Sequence, residues 1–126
     1  MNNIITLRKI GGFYLCFDND AIIISYLCNY EIKNGKVGFP INTINKITNI
    51  LDDNNISYIV KEEMEEVDKK IYGKKNKYKY YLEKGINKIN LDKRINNIIN
   101  KVNNLEEKEI IKLLDVIEDN IWMILW

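Results

Sequence analysis

The first third of the chain switches between two periods. Residues 3–9 open with Ile4, Ile5 and Leu7 in a β-rich run, which predicts a strand. Gly11-Gly12 then reads as a bend or bulge into a second strand over residues 13–17. On that strand Tyr14 and Cys16, with Asp18 after them, point one way, and Phe13, Leu15 and Phe17 point the other. Residues 21–28 are apolar nearly throughout. Three consecutive isoleucines there favour a strand, because β-branched side chains lose rotamer freedom in a helix. Asp18, Asn19 and Asp20, good capping residues, favour a helix, and a helix buried almost all round is the reading adopted.

The next turn is signalled more sharply. Asn34-Gly35 stands between the runs 30–33 and 36–39, and both turn positions of a tight hairpin require positive φ, which Asn and Gly tolerate. Pro40 closes the second arm. Ile44, Ile47, Ile50 and Leu51 share one face of a helix over 42–53, with Asn42 or Thr43 as its cap. A turn over 52–55 leads to a strand over 56–61. The order β-β-α-β-β-α-β predicts an α/β fold, a mixed sheet flanked by helices.

The pattern changes at Lys61. Residues 62–68 are strongly acidic, and residues 69–84 are basic, with Lys69, Lys70, Lys74, Lys75, Lys77, Lys79 and Lys84 interleaved with Tyr72, Tyr78, Tyr80 and Tyr81. Gly73 should break any helix there, and a short helix over 75–84 should end at Gly85. Beyond it, Ile95, Ile98, Ile99 and Val102 line one helical face. Asn104 with Glu107 predicts the start of a second helix, striped by Ile110, Leu114, Ile117, Ile121 and Leu125. The domain reading is thus an α/β body over 1–62, a charged connecting segment over 63–88 and a C-terminal α-helical hairpin over 89–126. The apolar end, with Trp122 and Trp126, should dock on the body or on a partner, which includes a second copy of the chain.

Composition narrows the chemistry. At 126 residues and 46% hydrophobic content, the chain suffices for one domain with an appendage. A net charge of +1 gives no strong overall field, so any nucleic-acid affinity must come from a local patch. The abundance of Ile, Asn and Lys reads as an AT-rich coding bias. The absence of His removes His-based acid–base catalysis and His metal ligands. Cys16 and Cys28 sit in apolar runs and read as buried free thiols. No signal peptide or apolar run of about 20 residues is present, so a cytoplasmic protein without a membrane span, metal or cofactor is expected.

The stretch Gly11-Gly12-Phe13-Tyr14-Leu15-Cys16-Phe17-Asp18-Asn19-Asp20-Ala21 contains G-x-F-Y-x-x-F-x-x-D-A. This resembles the opening motif of the N-terminal mismatch-recognition domain of the MutS DNA repair family. Gly38-Phe39-Pro40, a helical run and then Ser57-Tyr58-Ile59-Val60 are similar to that domain's next turn, helix and strand, so the resemblance covers residues 4–62. It favours the helix at 21–28. It also implies a DNA contact in which Phe13 wedges beside a base and stacks on it. Leu15 stands where the family has a base-bonding Glu, which implies DNA binding without true mismatch reading. The clamp, lever and ATPase domains of that family have no counterpart in the sequence, nor has a phosphate-binding loop.

The expected nucleic-acid contacts are therefore Phe13, Tyr14, Lys69, Lys70, Lys74, Lys75, Lys77, Tyr78 and Lys79, with lysines on phosphates and rings on bases. A protein-interaction module built on the helical hairpin is the second expectation. Glu31-Ile32-Lys33, with Asp18 and Asp20 upstream, has the E-x-K form of metal-dependent nucleases, but so short a match is common by chance and no enzyme is expected. Exposure separates the two main readings. A DNA-binding module shows Phe13 and the lysines of 69–84 on one face; an interaction module buries Phe13 and bares an apolar hairpin face.

Overall fold

The structure, a computed structural model, describes residues 3–125, without the side chains of Trp122 and Leu125. It divides into a unit over Met1–Ile89 and a unit over Asn90–Trp126.

In the first unit β1 (Ile5–Ile10) and β2 (Phe13–Phe17) pair antiparallel across Gly11-Gly12, with Ile10 opposite Phe13. The glycine pair is thus a two-residue hairpin turn, and Gly11 takes the positive φ (62°) that a side chain would disfavour. The other edge of β2 pairs antiparallel with β3 (Lys36–Pro40). β4 (Tyr58–Glu62) lies parallel to β1, and β5 (Glu65–Lys70) lies antiparallel to β4. The result is a five-stranded mixed sheet in the order β3-β2-β1-β4-β5. The α/β class and the mixed sheet are as expected.

Residues 18–28 form α1 (Asp18–Cys28). Burial overrides the β propensity of its isoleucines: Ala21, Ile23 and Ile24 have no exposure, and no residue from Asp20 to Cys28 is exposed. The capping expectation fails in detail. Phe17 occupies the cap position, and no side chain caps the helix; Asp18 and Asp20 fall in the first turn, where the helix dipole favours their charge. α2 (Ile44–Asp53), entered through a 3₁₀ turn, buries Ile47, Thr48 and Leu51. Thr43 precedes it without a side-chain cap, its hydroxyl donating instead to the Pro40 carbonyl at 2.7 Å.

Three boundaries differ from the sequence reading. Residues 30–32 are not a strand, and only Lys33 bridges Lys36 around a turn in which Asn34 and Gly35 have φ 53° and 74°. The arm is used for packing, Tyr30 lying on Phe39 with ring centroids 5.9 Å apart. Residues 65–70 are a strand, not a connecting segment. Every residue of β5 is exposed, so an edge strand held by backbone bonds on one side leaves no apolar alternation to read. Finally, the helix expected over 75–84 is α3 (Tyr78–Asn103), which runs through Gly85 without a break. Gly85 is not a cap but a contact: a Cβ there would lie 2.6 Å from Ile22 Cγ2 and 3.1 Å from the Ile22 carbonyl oxygen.

The second unit holds the end of α3 and α4 (Glu107–Leu125), with no buried residue among those described. Asn104 does not cap α4. The Glu106 N–H donates to Glu109 Oε1 at 3.2 Å, which supplies half of a capping box two residues later than expected.

Candidate nucleic-acid interface

Strand alternation gives the sheet two unlike faces. Ile5, Leu7, Tyr14, Cys16, Val37, Phe39, Tyr58 and Val60 face the helices and form the core with residues of α1 and α2. The register then fixes what lies opposite. Arg8 pairs with Leu15 and with Lys61, Leu15 with Gly38, Ile10 with Phe13, Phe13 with Pro40, and Phe17 with Lys36. Paired residues share a face, so this open face carries two exposed phenylalanines, a ridge of Ile10 and Pro40, and the cations Arg8, Lys36 and Lys61. Phe13 is 52% exposed and Phe17 44%. Leu15 fills the room left by Gly38, where an added Cβ would lie 2.7 Å from Leu15 Cδ2. Beside it a hollow of about 340 Å³ is lined by Leu15, Tyr30, Glu31, Lys33, Lys36 and Gly38.

The expected contacts divide. Phe13 is on the open face, whereas Tyr14 is 4% exposed and cannot reach a base. Its ring stacks on Phe39, and its hydroxyl donates to Glu62 Oε1 at 3.0 Å. Tyr78, expected on a base, also faces inward: at 5% exposure its ring is in the core, and its hydroxyl donates to Asp20 Oδ1 at 2.5 Å. Tyr72 and Tyr81 are likewise turned inward, donating to Asp52 Oδ1 and Asn54 Oδ1 at 2.7 Å each. Of the tyrosines interleaved with lysines, Tyr80 alone is exposed. The tyrosines therefore anchor this stretch, and its alternation with lysine is that of an amphipathic segment. Asn76 adds to the anchor, its amide donating to the Asn3 carbonyl at 2.6 Å while its oxygen accepts from the Ser57 N–H at 3.0 Å.

The lysines are exposed but not gathered around Phe13. Lys69 pairs with Ile59 on the open face and meets Glu66 at 3.9 Å. Lys70 falls opposite Tyr58, on the other face, with its ammonium 5.9 Å from the centre of the Tyr72 ring. Lys74, Lys75, Lys77 and Lys79 flank Asn76, whose side chain is held at the residues just before β1 and β4. Phe13 lies at the other end of β1, six residues along, a span of roughly 17 Å at strand rise. No protein-family model matches the chain, and no curated protein matches it.

Asp20, at the start of α1, is partly buried. Burial pushes the Asp20 carboxyl up from its ordinary value, against the hydrogen bonds from the Thr6 N–H and the Tyr78 hydroxyl, which lower it. Burial pushes the Cys16 thiol up to about 12 and the Cys28 thiol up to about 11. Glu31 and Lys33 pair with each other at 3.8 Å, both well exposed. Among the described residues no three acidic, Cys or His side chains are grouped to hold a metal ion, and no helix is long and apolar enough to cross a membrane. Trp126 and the side chain of Trp122 lie outside the described residues.

The sequence reading missed Arg8, Lys36 and Lys61, the cations that share the open face with Phe13. The outward direction of Phe13, Leu15 and Phe17 was legible from the period of two. Their cationic neighbours come from adjacent strands, and only the pairing brings them there.

Proposed function

We propose that the chain binds nucleic acid on the open face of its sheet and catalyses no reaction on it. The observation that carries this reading is the exposed Phe13, on the same face as Phe17, Arg8, Lys36 and Lys61. Aromatic rings on a flat sheet offer stacking surfaces to bases, and the cations beside them meet phosphates. The resemblance of residues 4–62 to the MutS recognition domain supports DNA as the ligand and Phe13 as the stacking residue. Leu15, in place of a carboxylate, offers a wedged base no hydrogen bond, so discrimination of a mismatch is weak. Of the four cations Arg8, Lys36, Lys61 and Lys69, Lys69 pairs with Glu66 and Lys61 stands opposite that same carboxylate, so phosphate contacts are few and affinity is low and steeply salt-dependent.

The test is a fluorescence-anisotropy titration of the full chain with labelled single-stranded, perfectly paired and mismatched DNA over a range of salt. Binding that weakens with salt, with less than about tenfold preference for a mismatch, is expected. Absence of binding to all three at low salt overturns the reading. A protein-interaction role is favoured by a separate observation, the exposed apolar residues of the second unit, among them Ile95, Ile98 and Ile117.

A further inference from the structure

The second unit has helices without a core. Leu91, Ile95, Ile98 and Val102 follow one another on α3 at intervals of four, three and four residues. Ile110, Leu114, Ile117, Ile121 and Ile124 do the same on α4 at four, three, four and three. This is heptad spacing, which makes a continuous seam along each helix. In the single chain the seams stay largely open: Ile98 is 58% exposed and Ile117 44%, and among the described residues of the unit only Val102, Leu105, Ile110 and Leu113 are partly covered. Leu91, Ile95, Leu114 and Ile121 are also exposed, and beside the seams so are Ile99 and Ile111. Apolar residues so continuous are not left to water at no cost, and most helical stability in proteins comes from packing an amphipathic face.

We propose that residues 90–126 are a dimer interface, in which two copies of this chain close their four helices into one bundle. Charge selects a second copy as the occupant. Beyond residue 90, α3 carries Lys93, Arg94 and Lys101 against one acid, Asp92, while α4 carries Glu107, Glu109, Asp115, Glu118 and Asp119 against Lys108 and Lys112. One helix is basic and the other acidic, so a two-fold axis sets the basic helix of each copy beside the acidic helix of its partner. Such a surface is self-complementary, as an isologous interface requires. Both helices also carry the same seam spacing, which lets knobs of either enter holes of the other. A net charge of +1 adds no long-range repulsion between copies.

Sedimentation equilibrium of the full chain, with far-ultraviolet circular dichroism as a control, tests this. A dimer is expected. Ile98→Glu combined with Ile117→Glu should raise its dissociation constant at least about tenfold, equivalent to about 1.4 kcal/mol. Lys93→Glu combined with Arg94→Glu leaves every apolar residue in place and decides the matter if the first variant loses helix; it should weaken the dimer at low salt. A monomer at every concentration, a trimer, or a dimer indifferent to both variants overturns the proposal. DNA binding by Phe13 is measured separately, so either reading can fail alone.

Discussion

Gly85 of α3 lies against Ile22 of α1, close enough that a Cβ at position 85 would stand 2.6 Å from Ile22 Cγ2 and 3.1 Å from its carbonyl oxygen. The side-chain contact is with a β-branched residue and the other is with backbone, so neither neighbour yields cheaply. In an open helix, Gly→Ala would gain up to about 1 kcal/mol. Here overpacking costs about 1–3 kcal/mol. Gly85→Ala should therefore destabilise the chain by about 1–2 kcal/mol in urea unfolding. A stabilised variant would show that the two helices have room between them.

Tyr78 and Asp20 join the start of α3 to α1 through a partly buried hydrogen bond. Tyr78→Phe leaves the carboxylate one donor short and should cost about 1–3 kcal/mol at neutral pH. The loss is read as a lower urea midpoint with unchanged slope.

The same carboxyl predicts a pH dependence. Asp20 holds its proton more tightly folded than unfolded, because burial outweighs its two hydrogen bonds. Between the ordinary value of 3.8 and the raised folded value, the native state binds more protons than the unfolded state. The contribution of Asp20 to stability is thus largest below 3.8 and declines as pH rises through that window. Asp20→Asn removes this titration. The stability difference between wild type and variant should change with pH from 3.8 up to the raised folded value and be flat above it. A difference that does not vary with pH would mean that Asp20 is not perturbed.

Cys16 and Cys28 should resist alkylation at pH 8. Their thiols are pushed up to about 12 and about 11, so little thiolate is present, and Cys16 is fully buried. Both should react quickly in denaturant. Rapid labelling of the native chain at either position would contradict this.

On the open face, Phe13→Ala and Phe17→Ala should each weaken DNA binding by about 1–3 kcal/mol if a base stacks on the ring. Both rings are about half exposed, so the thermal midpoint should hardly move. Lys36→Ala and Lys61→Ala should lower affinity for all sequences alike and reduce the salt slope. The combined change of Lys74, Lys75, Lys77 and Lys79 to Ala tests the other end of the sheet. Affinity that falls with the lysines and ignores the phenylalanines would move the binding site there.

Much of the first unit was legible in the amino-acid order. The period of two over 13–17 told which side chains turn inward, the Asn34-Gly35 pair named its turn, and the spacing of Ile44, Ile47 and Leu51 marked a helix face, because each signal is local. The helix over 21–28 needed more, since its isoleucines argue against it and only burial on nearly every side explains them. Tertiary structure alone decided the rest. Whether Gly85 ends a helix or admits a neighbour depends on Ile22, 63 positions away in sequence. Whether Tyr72, Tyr78 and Tyr81 face bases or turn inward depends on Asp52, Asp20 and Asn54, which accept their hydroxyls. An all-exposed edge strand leaves no apolar pattern, so β5 appears only through its backbone pairing with β4. The open face itself is a product of register, because Arg8, Phe13, Lys36 and Lys61 come to share it only when four separate strands align.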